Sequence, residues 1–173
     1  MSEINIDNVL IVFDAETILN TYQTPSIDPT NPTFISDADK VIFMLAKKGD
    51  TLSGHGGANL DFRAHPSDII RWRETTLERN TGRNIQLYEY QAFSTEELIT
   101  APTIQPVSVT IPIPNPKDPL HPNKFQKVAD YLWQSTVLDV GRVAYTFKFA
   151  ILKRDGSPLG YFKWDPSITI TNS

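Results

Sequence analysis

The chain lacks cysteine altogether, and its first apolar run, residues 9–13, is short. The absence of cysteine excludes disulfides, thiolate zinc sites and cysteine nucleophiles, and it is compatible with a reducing compartment. The N-terminus is acidic rather than basic, and the run is too short for a secretory signal or a membrane-spanning helix. We therefore expect a cytoplasmic protein without a signal peptide, with export by a route that cleaves no signal left open.

Positive charge is also scarce in this sequence. Sixteen lysines and arginines face 20 aspartates and glutamates, which gives a net charge of −4 and a pI near 5.3. Nucleic-acid-binding proteins usually carry a basic face, so neither nucleic acid nor a membrane is expected as a partner. A length of 173 residues predicts one domain, residues 1–173, which can bury its core without disulfides or metals. No cofactor is expected.

Proline, in contrast, is abundant, with thirteen residues along the chain. This density does not allow long helices. Between the prolines, apolar and polar residues alternate with a period of two, which is typical of half-buried strands. The clearest alternating runs are residues 70–73, 85–90, 107–113, 143–152 and 168–170. They predict an all-β fold, an antiparallel β-sandwich of jelly-roll or immunoglobulin-like character with about eight strands and one or two short helices.

Two kinds of regular element can be located more closely. Residues 145–152 and 159–164 predict a hairpin, because turn-forming residues separate two alternating runs. Residues 16–22 predict a short helix that Asp14 can cap. Residues 125–133 have apolar positions that suit either a second short helix or a strand.

Two further segments are predicted to be irregular or marginal. Residues 24–39 contain three prolines and several aspartates, and they predict a loop. Residues 101–123 are the most proline-rich part of the chain, and proline is tolerated in sheets chiefly on edge strands. This segment is therefore predicted to cross between the sheets or to form an edge strand.

An apolar strand followed by an acidic pair opens the question of catalysis. Residues 9–18 read V-L-I-V-F-D-A-E-T-I, so that Asp14 and Glu16 could bind paired metal ions together with Asp61 and Asp130, as in a 3′–5′ exonuclease. Such enzymes carry a histidine five residues or a tyrosine four residues before the last aspartate. Here those two positions hold Phe125 and Gln126, neither of which can act as the base. A metal-dependent exonuclease is therefore less favoured than the other two functional hypotheses, and no catalytic residue is assigned.

A binding module is a stronger alternative. Acidic and amide side chains in loops could supply oxygens to calcium, and aromatic side chains could stack on a sugar, although strand aromatics more often belong to the core. Whether any metal binds is left open. The candidate ligand-binding residues are Asp14, Glu16, Asp28, Asn31, Asp61, Trp72 and Trp164.

Three segments taken together resemble the AidA/PixA-type bacterial inclusion body protein family. They are V-L-I-V-F-D-A-E-T-I-L-N-T-Y with the following D-P-T-N-P-T, then L-S-G-H-G-G-A-N-L-D-F-R-A-H-P-S-D-I-I-R-W-R, and finally L-G-Y-F-K-W-D-P-S-I-T-I. The resemblance implies a non-catalytic, self-associating cytoplasmic protein, which in some relatives is linked to quorum control, host interaction or virulence. A homo-oligomer, with a host or glycan ligand as a further partner, is the corresponding expectation. With only two methionines, the chain departs from the methionine-rich composition of some inclusion-forming relatives.

Overall fold

The computed structural model describes residues 4–93 and 97–171. Residues 1–3, which belong to the acidic N-terminus considered above, lie outside the described residues. The described residues form strands in two sheets, one α-helix and a single 3-10 turn, so the predicted all-β fold is confirmed. The elements are β1 (Ile6–Phe13), α1 (Ala15–Thr21), β2 (Thr33–Phe34), a 3-10 turn (Ala38–Lys40), β3 (Ile42–Leu45), β4 (Thr51–Ser53), β5 (Asp61–Ala64), β6 (Ile69–Thr76), β7 (Asn84–Ala92), β8 (Thr103–Ile113), β9 (Lys124–Thr136), β10 (Gly141–Leu152), β11 (Pro158–Trp164) and β12 (Ser167–Ile170).

The first sheet has five strands in the order β3-β1-β6-β9-β8. β1 and β6 run parallel, from the pair Ile6 and Ile69 to the pair Phe13 and Thr76, and the other neighbours are antiparallel. Strict alternation in β1 and β6 places every second residue against the second sheet. The opposite, outer face of this sheet is therefore formed by the residues between them.

The second sheet is organised around the long strand β10. The first part of β10 pairs with β12, the rest pairs with β11, and β7 pairs with β10 as well. Pro166 separates β11 from β12, and Ile168 and Ile170 are both buried again after it. The chain thus interrupts its last strand at Pro166, and the predicted β10–β11 hairpin is confirmed.

Aromatic side chains fill the space between the two sheets. Phe147 of β10 lies 5.7 Å from Trp72 and 5.8 Å from Trp164, measured between ring centroids. Phe13 and Phe149 are 4.6 Å apart in the same cluster. Edge-on and tilted contacts of this kind add to the stabilisation that burial of the rings already provides. The core therefore joins β1, β6, β10 and β11.

Two of the marginal segments form one hairpin, β8–β9. Residues 125–133 lie within β9, so the helical alternative is wrong and the strand alternative is confirmed. The apolar spacing of Phe125, Val128 and Leu132 fits a helix, but pairing with β8 over eleven residue pairs outweighs that local signal. β8 lies at the end of its sheet, which confirms an edge strand within residues 101–123.

Most of this hairpin extends beyond the body of the sheet. β9 pairs with β6 only from the pair Ile69 and Thr136 to the pair Trp72 and Trp133. From Gln105 to Leu132 the two strands have no other strand as a ladder partner among the described residues. We call residues 105–132 the arm. Separately, none of the helices in the described ranges is long and apolar enough to cross a membrane.

Candidate functional site

Asp14 follows β1 and caps the helix α1. Its Oδ1 accepts a hydrogen bond from the Thr17 backbone N–H at 3.0 Å, and its Oδ2 accepts one from the Thr17 hydroxyl at 2.8 Å. The Asp14 N–H donates to the carbonyl of Val41 at 2.9 Å, which ties the helix start to β3. Both carboxylate oxygens are thus engaged in an N-cap, as predicted from the sequence. Glu16 lies in the first turn, where negative charge is favourable.

An open depression of about 380 Å³ lies beside this cap. It is the part of the structure in which predicted site residues come closest to forming a site. Its walls are Asp14, Ala15, Glu16, Thr17, Asn20, Thr76, Leu77 and Glu78. The Glu78 carboxylate is 3.5 Å from the Arg83 guanidinium, so part of the negative charge is compensated. No aromatic side chain lines the depression, and both Asp14 oxygens already accept hydrogen bonds within the helix cap.

The other two carboxylates of the exonuclease hypothesis lie elsewhere. Asp61 begins β5 in the second sheet, and its Oδ2 accepts a hydrogen bond from the Thr169 hydroxyl at 3.0 Å. Asp130 of β9 forms an ion pair with Arg73. Within residues 4–93 and 97–171, no group of three or more histidine, cysteine, aspartate or glutamate side chains is placed to hold a metal ion. The hypothesis therefore lacks the converging ligand set that two-metal hydrolysis requires.

Asp28 and Asn31 lie in an exposed turn. Asp28 Oδ1 accepts hydrogen bonds from the Thr30 hydroxyl at 2.7 Å and the Thr30 N–H at 2.9 Å. The Asn31 N–H donates to the Asp28 carbonyl at 3.2 Å. The two hydrogen bonds from Thr30 lower the pKa of Asp28, because they stabilise the charged carboxylate, and the bond from the hydroxyl has the larger effect. This arrangement is a self-contained Asx turn.

A tyrosine pair adjoins that turn. The Tyr88 hydroxyl donates to the Pro29 carbonyl at 2.8 Å, and the rings of Tyr88 and Tyr161 lie 5.7 Å apart, edge to face. Burial, more than the nearby charges, raises the pKa of Tyr88 to about 12, so this hydroxyl remains a donor at neutral pH. Both rings are only half-buried. The turn and the pair together present an aromatic and polar surface.

The two tryptophans proposed for ligand stacking belong to the core. Trp72 is 0% exposed and Trp164 is 1% exposed. The Trp164 indole N–H donates to the Ala58 carbonyl at 3.1 Å. Neither indole presents a face to solvent, so the expectation that they form a stacking surface is wrong. Their core-facing positions in alternating strands account for this, because β6 and β11 each bury every second side chain.

Three buried carboxylates, Asp7, Asp68 and Glu74, were missed by the sequence reasoning. Glu74 accepts hydrogen bonds from the Leu87 N–H at 3.0 Å and the Tyr131 hydroxyl at 2.5 Å. Its acceptor oxygen lies beside an irregularity in the pairing of β7 with β10, where the register shifts between Lys148 and Phe149. Burial raises the pKa of Glu74 against the lowering effect of these bonds. The available signal was its position in phase with Trp72 on the core side of β6.

Asp7 is the second of these carboxylates, at the start of β1. It is 5% exposed, and its Oδ1 accepts a hydrogen bond from the Asn5 side-chain amide at 2.8 Å. Burial first and repulsion from Asp68 second raise its pKa to about 6. It borders a cavity of about 180 Å³ that Lys47 and Asp50 also line. Its phase with the buried apolar residues of β1 was the corresponding signal.

The fold thus defines a two-sheet β protein whose predicted acidic residues serve separate structural contacts. The profile of the PixA family, described as inclusion body protein, matches residues 5–170. The chain belongs to this inclusion body protein family, as the sequence resemblance predicted.

Comparison with solved structures shows the same fold. The crystal structure of an inclusion body protein (PixA) from Burkholderia cenocepacia superposes with a TM-score of 0.76 at 22% identity, covering 98% of both chains. A cysteine protease inhibitor from Entamoeba histolytica gives a TM-score of 0.30 at 19% identity, covering 64% of this chain and 86% of that one, and carries no argument. Among curated proteins, no significant sequence match is found.

Proposed function

We propose that this protein is a non-catalytic, self-associating member of the inclusion body family whose role is to pack with copies of itself. The observation that supports this most directly is the outer face of the five-stranded sheet. Apolar side chains are exposed on it, including Ile6 at 42%, Leu10 at 38% and Ile113 at 37%. In the described part of the chain the strands form two sheets, and the second sheet packs against the opposite, core side of this one. Exposed apolar patches such as these, one on β1 and one on the arm, are typical of association sites.

The distribution of the carboxylates also supports a role without catalysis. Asp14 caps a helix, Asp61 bonds to Thr169, and Asp130 pairs with Arg73. Each has a structural partner, and they are divided between two sheets. A hydrolytic centre would instead need them to converge on one reacting group.

Sedimentation velocity over a wide range of protein concentration tests the proposal. Self-association predicts a weight-average sedimentation coefficient that rises with concentration, together with inclusions when the protein accumulates in bacterial cytoplasm. A coefficient that stays at the monomer value at the highest attainable concentration, without inclusions, would contradict it. We further propose that the protein is cytoplasmic and that its production depends on cell density; cell fractionation and the protein amount followed through growth in the same host test these two points.

A carbohydrate-binding role is a second candidate, favoured by the pair Tyr88 and Tyr161 beside Asp28. A half-buried aromatic pair next to a carboxylate and an amide suits stacking on a sugar combined with hydrogen bonds to its hydroxyls. A glycan array with the wild type and Tyr161→Ala tests it, with and without calcium. Binding that disappears in Tyr161→Ala supports this role, and an array without binding rejects it.

A further inference from the structure

The arm defined above is a two-stranded ribbon that needs a cover. Its strands pair with each other from the pair Gln105 and Leu132 to the pair Ile113 and Lys124. An isolated two-stranded ribbon is marginally stable in water. At its base it is held to β6 by the ion pair of Arg73 with Asp130 and the hydrogen bond of Tyr131 to Glu74. Beyond these contacts, stability must come from packing on one of its faces.

On one face of the arm, four of the five side chains from β8 are apolar, whereas those from β9 are mixed and include Lys124, Gln126 and Asp130. Side chains on this face belong to odd-numbered residues of β8 and even-numbered residues of β9, the phase of Arg71 and Gln134 on the outer side of the sheet. Its apolar members, which we call the arm stripe, are Val107, Val109, Ile111, Ile113, Val128 and Leu132. Val109 is 36% exposed, and the others are half-buried or exposed.

The free edge of β8 is poorly suited to recruit another strand. Pro106 and Pro112 have no N–H, and proline in a sheet is found where the N–H would point away from the paired strand. Both prolines share one phase of β8, so the outer edge lacks two of its donors. Association through this hairpin should therefore use the face that carries the arm stripe rather than the edge.

A second apolar patch lies at the other side of the same sheet face. On β1 and β3, Leu10 pairs with Leu45 and Val12 pairs with Phe43, all pointing outward. We call these four residues the body patch. Between the body patch and the arm stripe lies β6, whose outward residues after Ile69 are the polar Arg71, Arg73 and Thr75. Arg71 bonds to Gln134 at 2.8 Å and Arg73 pairs with Asp130, so both arginines are matched within one chain.

We propose that a second copy of this chain packs against the outer sheet face about a two-fold axis running along β6, so that Leu132 and Val107 of each arm stripe cover the partner's body patch and the rest of the stripe extends over the partner's sheet end beyond β1. This inference rests on the proposed self-association. Across the sheet, the apolar body patch comes first, then the polar strand β6, then the arm stripe. The two-fold rotation places the body patch of each copy opposite the arm side of the other, and β6 opposite β6. An isologous contact of this kind gives a closed dimer, because both copies use the same surface in the contact.

The strand register fixes which residues face each other. Phe43 is level with Val12, and Val12 is level with Thr75. Continuing the β6–β9 register beyond Trp72 and Trp133 puts Thr75 level with Asp130, which pairs with Val107. Phe43 of one copy and Val107 of the other therefore lie opposite each other in the proposed pair.

Charge favours the same arrangement. The arm contains three lysines and two aspartates, a net +1 on a chain of net −4, and one of those aspartates, Asp130, is already paired with Arg73. β9 is antiparallel to β6 and therefore to β1, so the start of β9, at the tip of the arm, points the same way as the end of β1. Each arm thus points toward the end of the sheet where Asp14, Glu16 and Glu78 surround the open depression. A rotation about β6 keeps that direction, and it brings the basic arm of one copy to the acidic end of the other.

The contact area is sufficient for a stable pair. Nine residues of strand extend about 30 Å, and two strands are about 10 Å wide, which gives about 300 Å² for one arm face. Two arms covering two bodies bury about 1,200 Å² in total, the lower end of specific interfaces. A reversible pair that assembles with concentration is expected.

Site-specific crosslinking tests this arrangement, since the chain has no cysteine of its own. A tagged Phe43→Cys chain is mixed with an untagged Val107→Cys chain and treated with a short bismaleimide. The mixed pair should crosslink, whereas each variant alone should not. In the proposed dimer, β3 of one copy lies four strand spacings, about 19 Å, from β3 of the other, and the same holds for β8. Ser108→Cys replaces Val107→Cys in the control, since its side chain points to the other face.

The outcomes separate the arrangement from self-association itself. A mixed Phe43–Val107 crosslink well above the Ser108 control supports the proposal. Association in sedimentation without that crosslink, or with an equal yield for Ser108→Cys, overturns the arrangement and leaves self-association standing. A protein that stays monomeric overturns both. As a second measurement, Val109→Glu should weaken association about tenfold or more, whereas Thr110→Glu on the opposite face should leave it unchanged; equal effects would overturn the choice of face.

Discussion

Replacing Asp14 by alanine separates an architectural carboxylate from a chemical one. The substitution removes the hydrogen bonds to the Thr17 N–H at 3.0 Å and the Thr17 hydroxyl at 2.8 Å, while the Asp14 backbone bond to Val41 is kept. Loss of an N-cap side chain costs about 1 kcal/mol. For a chain of this length, that lowers the melting temperature by roughly 2–4 °C.

Two neighbouring substitutions serve as controls for this prediction. Asp14→Asn keeps an acceptor for the Thr17 N–H and should recover most of the loss, since asparagine is among the best N-cap residues. Glu16→Ala removes an exposed first-turn charge and should cost only about 0.3 kcal/mol.

Thermal and urea unfolding followed by circular dichroism measure these differences, with and without magnesium or manganese. The reasoning is refuted if Asp14→Ala leaves stability unchanged. It is also refuted if divalent cations stabilise the wild type but not Asp14→Ala, because that pattern would indicate a metal site at the cap.

Three further predictions concern buried groups. The pKa of Asp7 is raised to about 6 in the folded state, so the wild type should lose stability as the pH rises from about 4 to about 6. Asp7→Asn should remove about 1 kcal/mol of that loss. The same pH dependence of the unfolding free energy in urea for both proteins would argue against it. Glu74→Ala should cost about 2–4 kcal/mol, because the Leu87 N–H and the Tyr131 hydroxyl lose their acceptor. Glu74→Gln should cost less, and its stability relative to wild type should increase as the pH rises above the ordinary glutamate range, because burial raises the pKa of Glu74. Equal urea midpoints for the two variants would contradict the assigned bonds. Trp164→Phe should cost about 1–3 kcal/mol in urea unfolding, because the Ala58 carbonyl is left without its donor and a cavity forms, and a wild-type midpoint would be inconsistent with the buried position.

The local elements could be predicted because their signals are local. The alternation of residues 143–152 identifies β10, and Asp14 before residues 16–22 identifies a capped helix. For residues 125–133, the spacing of Phe125, Val128 and Leu132 fits a helix, and in the strand Phe125 lies on the face opposite the other two. Only pairing with β8, which depends on the whole sheet, decides for the strand.

The candidate site could be predicted less well, since proximity between distant residues is a property of the topology. Asp14 and Asp61 occur in the order expected of a metal site, but β1 and β5 belong to different sheets. Trp72 and Trp164 were offered as surface residues although both occupy the buried phase of their strands. The same phase argument, applied to Glu74 and Asp7, would have identified the buried carboxylates.

The most direct test of the central claim is the sedimentation coefficient of the wild type and Val109→Glu, measured side by side over a wide range of concentration. We expect the wild type to shift from monomer to dimer and Val109→Glu to remain monomeric with an unchanged circular dichroism spectrum. Superimposable concentration profiles for the two proteins would contradict self-association through the outer face of the arm.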